Sequence, residues 1–482
     1  MKEILNLSAL QLGRVIREGE VSIPEVTQRA LEAAGQDPHN SFITLNAEQA
    51  MARAEGLQRN LNQAESPLYG VPTALKDNIC TRGVRTTCAS KMLGNFTPPY
   101  SASVVELLAN AGTVSIGKTN MDEFAMGSTG ETSFFGPTTN PRDPTRAPGG
   151  SSSGSASAVA AGIIPFALGS DTGGSVRQPA AHCGLTGITP TYGTVSRYGL
   201  IAHASSLDQI GPLCKDAADC AAVLDTIQMY DRHDSTSLNR SYGNLLNSLN
   251  GDMRGLRVGI PVECFSEGLN DEVRRAVLSA SNLLASRGAI VKEFSFSAFA
   301  CVVPTYYIIA CAEASSNLAR YDGVKYGFRA KDYADLDEMY RKTRTEGFGS
   351  EVKRRILLGT FVLSSGYYDA YYNKALQAKA MIQNEFRNAF QTYDLLLTPT
   401  TPTTAPKLNS LTHPLQMYLG DIYTAAANLA GLPALSMPCG FDQNGLPIGA
   451  QLIGPHFGET VILNAAHAFQ LETNFHTRRC LV

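Results

Sequence analysis

The chain has 482 residues, 44% of them apolar and 17% charged, with a formal net charge of −3. That composition supplies material for a large buried core and excludes an intrinsically disordered chain. The near-neutral balance also excludes a broad electrostatic footprint for nucleic acid, so any RNA contact is local or made through a partner.

Residues 1–65 read as helices, with Ser8 and Ser22 as N-cap candidates and Ile23, Val26, Ala30 and Leu31 on one face. The first eight residues carry no apolar core and are not Arg-rich, which predicts no targeting leader. The apolar run 71–75 predicts a buried strand that ends at Lys76. A helix at 103–111, a strand at 113–116, a helix at 155–162 and a strand at 164–168 follow in alternation. Residues 228–252 are polar and rich in Asn and Ser, as a surface excursion would be. Strands at 257–261 and 289–291 flank a helix at about 270–287. Residues 304–392 read mainly as helix, and 394–399 returns as a strand into a Thr/Pro loop. The alternation predicts an α/β fold around a largely buried sheet. The strand signals at both ends fit one sheet, so residues 1–65 are expected to pack on a core built from 66–482 as one compact unit. No run of about 18 apolar residues occurs, so no membrane span is expected.

Ten cysteines include no C-x-x-C pair, and eight histidines include no H-x-x-x-H pair. This predicts reduced, mostly buried thiols in a reducing, cytoplasmic compartment and no metal site. Two motifs imitate known sites. Gly112 to Thr119 satisfies the phosphate-loop pattern, but its middle, Thr113-Val114-Ser115-Ile116, prefers to be a strand, and N–H groups spent on a sheet cannot cradle a phosphate. Gly150-Ser151-Ser152-Ser153-Gly154 satisfies the nucleophile-elbow pattern. Its lead-in carries Pro141, Pro144 and Pro148 and cannot be a central strand, and no histidine pattern offers a base.

Three places carry candidate chemistry. The Gly/Ser run 149–155 is either a flexible linker or a helix N-terminus with free N–H groups. The run 169–177 is either a strand-to-helix turn or a nucleophile loop, in which Gly173-Gly174 before Ser175 lets backbone approach a substrate carbonyl. Lys76 is either a solvated charge or a base. As a base it must fall from about 10.4 to about 7, a difference of roughly 4 kcal/mol that burial at the end of an apolar strand could supply.

Together, Leu75-Lys76-Asp77-Asn78, the Gly/Ser run, and Gly169 to Ala180 at these spacings resemble the amidase signature family. The resemblance covers nearly the whole chain. It implies a single large α/β domain with a mixed central β-sheet flanked by helices. It implies a Ser-Ser-Lys triad in which Ser175 attacks, Ser151 relays the proton and Lys76 is the base. It implies a cis peptide at Gly150–Ser151 and an oxyanion hole from the N–H groups of Thr172, Gly173, Gly174 and Ser175. Ser153 departs from the family, which more often has glycine there.

Further segments, Thr119 to Ser128, Thr305 to Ala310, Gly347 to Arg355 and Met417 to Ile422, resemble the branch of the family that releases ammonia from glutamine for amidating aminoacyl-tRNA. That branch implies a heterotrimer with B and C subunits. The partner subunit uses ATP and magnesium and holds most of the tRNA, and the acceptor is glutamate on tRNA(Gln) or aspartate on tRNA(Asn). This chain would need no cofactor of its own. Glutamine is a zwitterion, so its site needs a fixed cation and a fixed anion, and an arginine fork suits the carboxylate. The resemblance assigns the carboxylate to Arg355, the ammonium to Asp421 and an orienting hydroxyl to Tyr306. Arg354 is an adjacent alternative to Arg355, and Asp421 could instead be a helix N-cap. The rival function is a free-standing amidase of small acyl or aryl amides, which needs no such charge pair.

Overall fold

Caps set the first helices. In the computed structural model, which describes residues 2–240, 242–411, 413–478 and 480, Ser8 opens α1 (Ala9–Arg17) with a capping box to Gln11. Ser22 opens α2 (Ile23–Gly35), which has proline in its first turn. The N-terminal region is not purely helical. A strand, β1 (Phe42–Leu45), precedes α3 (Ala47–Arg59). Its four residues lack the alternation that marks a strand in sequence, and pairing with a distant strand creates it.

The core begins at β2 (Pro72–Lys76), buried along its whole length. Next come α4 (Ser103–Asn110), β3 (Val114–Thr119), α5 (Ser153–Ala160), β4 (Phe166–Asp171), α6 (Arg177–Cys183), β5 (Thr186–Thr189), β6 (Gln209–Cys214) and α7 (Ala217–Ile227). The strand expected at 164–168 starts two residues later and runs on through Asp171, because Ser170 and Asp171 are polar strand residues that serve the site. The second half holds β7 (Arg257–Pro261), α8 (Asp271–Ser286), β8 (Ile290–Phe294), α9 (Val302–Asn317), α10 (Leu336–Gly347), α11 (Ser350–Val362) and α12 (Lys374–Thr392). It closes with β9 (Leu395–Pro399), α13 (Pro414–Leu419), α14 (Ala425–Ala430), β10 (Ala434–Phe441), β11 (Pro447–Ile453) and α15 (Glu459–Glu472).

All these strands join one mixed sheet in the order β1-β3-β2-β4-β6-β5-β10-β11-β9-β7-β8. β2 lies between β3 and β4 and is parallel to both, whereas β4–β6–β5–β10–β11–β9 is antiparallel throughout. The two parallel strands β2 and β4 therefore bring their carboxyl ends, Lys76 and Asp171, to the same edge, where α/β sheets bind ligands. Helices cover the sheet, and a second apolar cluster joins α9, α12 and α14 to β9–β11. The helical run Ser297–Arg320 is long and apolar enough to cross a membrane by length and composition; 56% of its most apolar window is buried in the protein. The sequence showed no unbroken apolar run there, since Thr305, Glu313 and Ser315 interrupt it.

Candidate active site

Lys76 ends β2 with no exposure at all. Its Nζ stands 2.7 Å from Ser151 Oγ, 2.9 Å from Ser152 Oγ and 3.0 Å from the Ser170 carbonyl. Burial pushes the lysine down to about 7, against the opposing pull of Asp122, Asp171 and Asp208. None of those carboxylates forms an ion pair with it among the described residues.

The Gly/Ser run is packed rather than loose, and residues 150–160 are all buried. Gly150–Ser151 is a cis peptide. A Cβ at Gly150 would lie 2.0 Å from Asp122 Oδ2, and one at Gly154 would lie 2.3 Å from the Ser41 carbonyl. The small residues that suggested a linker are thus the price of fitting α5 under its neighbours. Ser152 N–H donates to the Ser175 carbonyl at 3.2 Å, tying this run to the second loop.

That loop is organised by Asp171. Its carboxylate accepts from the N–H groups of Gly174 (2.8 Å) and Val176 (3.0 Å), from Thr189 Oγ1 (2.8 Å) and from Asn428 Nδ2 (2.9 Å). Both partners are fully buried where Arg177 Nη2 meets Asp171 Oδ1 at 3.0 Å. Burial would push the Asp171 carboxyl up; Arg177 and the donated hydrogen bonds overcome that and hold it well below the carboxylate range. Thr172 Oγ1 donates to Asp208 Oδ1 at 2.7 Å, and Thr424 Oγ1 donates to the Gly173 carbonyl at 2.6 Å. Ser175, 8% exposed, is the most accessible of the three predicted triad residues.

Gly174 has φ +135° and a Cβ there would lie 2.2 Å from Thr424 Oγ1, while one on Gly173 would strike the Tyr306 ring at 2.4 Å. Among the described residues the N–H groups of Thr172, Gly173 and Ser175 have no backbone partner. Gly174 differs from the expectation. Its N–H is spent on Asp171, so its contribution here is close approach and a left-handed turn rather than a free donor.

The expected substrate residues gather beside this loop. Arg355, on the inner face of α11, is 2% exposed. Its Nε donates to Glu351 Oε1 at 2.8 Å, and its guanidinium lies 5.1 Å from the Tyr307 ring and 5.4 Å from that of Tyr418. Arg354 points outward, its side chain 43% exposed. Asp421 is 6% exposed and accepts from Tyr307 OH (2.7 Å) and Ser128 Oγ (3.0 Å). Burial pushes its carboxyl up to about 6, against those hydrogen bonds. It is no side-chain N-cap, since α14 starts at Ala425 after Thr424. Tyr306 meets Tyr307 edge-on at 4.9 Å.

Four residues went unassigned in the sequence. Ser128 and Tyr307 hold Asp421, and Glu351 and Tyr418 hold Arg355 (Tyr418 OH donates to Glu351 Oε1 at 3.0 Å). Each lies in or beside a segment already notable, but nothing local marks a partner far away in sequence. A cavity of about 350 Å³ opens outside, bounded by Thr129, Glu351, Arg354 and Met417.

The phosphate-loop lookalike is strand. β3 pairs with β1 and β2, and the buried Lys118 Nζ donates to the Ile79 carbonyl. Among the described residues no group of three His, Cys, Asp or Glu could hold a metal ion.

A buried lysine whose pKa is lowered to about 7, at the carboxyl ends of two parallel strands and facing a Gly/Ser run and a Gly-Gly-Ser turn, is the architecture of one class of amide-cleaving enzyme. The family described as Amidase matches residues 25–463, and the chain belongs to it. It is 56% identical over 473 residues to the A subunit of glutamyl-tRNA(Gln) amidotransferase from Agathobacter rectalis, covering 97% of this chain and 94% of that one. To the protein of the same name from Lachnospira eligens it is 57% identical over 472 residues, covering 97% and 98%. The crystal structure of the corresponding glutamyl-tRNA(Gln) amidotransferase A subunit from Thermotoga maritima superposes with a TM-score of 0.80 at 41% identity, covering 98% of this chain and 95% of that one.

Proposed function

We propose that the chain is the glutaminase subunit of a tRNA-dependent amidotransferase. It supplies ammonia for converting glutamate on tRNA(Gln), or aspartate on tRNA(Asn), to the amide. The observation that carries this reading is the buried pair Arg355 and Asp421 beside the Gly173–Ser175 turn. A plain acyl or aryl amide has no use for a buried cation and a buried anion in its site, whereas a glutamine held by both presents its side-chain carboxamide inward.

A proton count supports the triad. A neutral lysine has two N–H bonds and one lone pair. Ser152 Oγ donates its own proton to the Ser170 carbonyl at 3.1 Å, so it accepts from Lys76. The second Lys76 N–H goes to the Ser170 carbonyl. The lone pair is left for the Ser151 hydroxyl. Ser175 Oγ then attacks the carboxamide carbon, its proton moving to Ser151 as the Ser151 proton moves to Lys76. The oxyanion takes up the free N–H groups of Thr172, Gly173 and Ser175. The relay reverses to protonate the leaving nitrogen, ammonia departs, and water cleaves the glutamyl ester by the same route.

The B and C subunits complete a heterotrimer, with ATP, magnesium and most tRNA contacts on the partner. Cysteines that are mostly buried and form no C-x-x-C pair support a reducing, cytoplasmic setting. The test compares glutamine with a simple aliphatic amide. Arg355→Ala should raise the KM for glutamine roughly ten- to a hundredfold, the cost of a charge-assisted bond at about 1.5–3 kcal/mol, and leave the aliphatic amide unaffected. A wild-type preference for the aliphatic amide would favour a free-standing amidase.

A further inference from the structure

Arg355 and Asp421 stand on elements far apart in sequence. One buried loop, residues 122–128, bonds to the relay serine, to Asp421 and to the helix that carries Arg355. Its first residue, Asp122, donates its N–H to the Ser151 carbonyl at 3.2 Å. Its last, Ser128, donates to Asp421 Oδ1 at 3.0 Å. Between them Glu123, 3% exposed, reaches α11. Its Oε2 accepts the N–H of Gly349 at 2.8 Å, and its Oε1 accepts from Ser90 Oγ at 2.5 Å. Gly349 is the N-cap of α11 and has no side chain with which to cap it. In a capping box the third helical residue accepts the N–H of the N-cap. That residue in α11 is Val352, and Glu123 supplies the carboxylate from a distant loop instead, where the helix N-terminus favours negative charge.

The backbone of this loop is uncommon. Phe124 (φ +49°) and Ala125 (φ +61°) are left-handed without being glycine, and so are Cys88 (φ +52°) and Ala89 (φ +53°). The two segments are joined, since Phe124 N–H donates to the Cys88 carbonyl at 2.9 Å. Cys88 N–H in turn donates at 2.9 Å to the carbonyl of Asp77, the residue after Lys76. Conformations of this kind persist only where the surroundings over-determine them. Here the Phe124 ring lies 5.1 Å from that of Tyr321 and 5.6 Å from that of Phe348, just before Gly349. A Cβ on Gly349 would lie 2.3 Å from Glu123 Oε2, so no slack separates loop from helix. The start of α11 is thus fixed to segments anchored beside Lys76 and Ser151. Arg355 follows it, because Glu351 in that first turn holds the Arg355 Nε at 2.8 Å.

We propose that Glu123 is a positioning residue for glutamine. It sets the start of α11 so that Arg355 meets the α-carboxylate while the carboxamide lies at Ser175, an inference that rests on the function proposed above. Among the described residues Glu123 bonds to no member of the triad, so its effect falls on a substrate gripped through Arg355 and not on the chemistry. A plain aliphatic amide carries no α-carboxylate and is indifferent to it.

The test measures kcat and KM of the full chain, with its B and C partners, for glutamine and for a simple aliphatic amide. Glu123→Ala should raise the KM for glutamine roughly tenfold, as loss of one charge-assisted hydrogen bond does, and leave kcat and the aliphatic amide unchanged. Glu123→Gln keeps an oxygen for the Gly349 N–H, and Ser90 Oγ can turn its proton to the Gly347 carbonyl at 3.3 Å. That variant should stay within about threefold of wild type, since a neutral acceptor keeps about half the bond strength. Gly349→Ala, which pushes Glu123 off the N–H, should raise the KM in the wild type and add nothing in the Glu123→Ala background. Should Glu123→Ala fail to fold, Gly349→Ala decides by the same split between the two amides. Equal losses on both amides would make Glu123 a merely structural residue and overturn the proposal, as would additive effects of the two substitutions. A wild type that prefers the aliphatic amide overturns the function reading and this inference together. A wild type that prefers glutamine, with variants of unchanged KM, overturns this inference alone.

Discussion

Lys76 sits at the end of a buried strand with three hydrogen-bond partners, none of them charged. With its pKa lowered to about 7, it is half neutral near physiological pH. The rate of glutamine hydrolysis should therefore rise with pH through about 7 and then level. Lys76→Arg, which stays charged, should be almost inactive at every pH; an arginine variant with a substantial rate would remove the base role. The same shift acts on stability. Between about pH 7 and 10.5 the unfolded chain holds a proton that the folded chain has shed, so stability from this group rises with pH across that window. Urea midpoints of wild type and Lys76→Met should diverge in the wild type's favour on going from pH 7 to 9.5, by up to about 1.4 kcal/mol per pH unit. Parallel pH profiles would show that the lysine titrates normally. Asp421 gives a second handle at the other end of the substrate. Raised to about 6, it loses its charge below that pH. The KM for glutamine should climb as pH falls through about 6 in wild type, and Asp421→Asn should raise the KM and flatten that dependence.

At the scale of elements, the site depends on two helices held unusually close. A Cβ on Gly359 of α11 would lie 2.0 Å from the Cys311 carbonyl of α9. That contact fixes the helix bearing Arg355 against the helix bearing Tyr306 and Tyr307. Gly359→Val should force them apart, costing about 1–3 kcal/mol of stability by overpacking and raising the KM for glutamine. Thr360→Val, one residue on and exposed, should do neither; equal effects from both would mean that helix spacing is not what the glycine protects. Sequence patterns marked β2, α4, α8 and β9 well, because each is an uninterrupted run with its own breakers. They marked β4 poorly, since Ser170 and Asp171 are strand residues whose polarity serves the catalytic loop. They missed β1, whose pairing partner β3 lies some seventy residues away.

At the scale of the molecule, residues 1–65 contribute more than a helical cover. β1 caps the β3 edge, and Asp219 accepts the N–H groups of Ala9 (2.6 Å) and Leu10 (3.0 Å). Removing these residues would bare an edge strand and strand a buried carboxyl, so a 66–482 chain should aggregate rather than fold. A soluble truncated chain with wild-type glutaminase activity would show the segment to be dispensable. The sequence by itself determined the α/β alternation, the strand ending at Lys76 and the two Gly/Ser loops, because these follow from local periodicity and from residues with few conformational alternatives. It also exposed both lookalike motifs, since a β-prone middle and three prolines are local facts. Only the tertiary structure decided that Gly174 spends its N–H on Asp171, that Arg355 rather than Arg354 faces inward, and that Tyr307, Ser128, Glu351 and Tyr418 hold the two charges. Those are matters of burial and of partners distant along the chain, and low dielectric and fixed geometry exist only once the chain has closed around them.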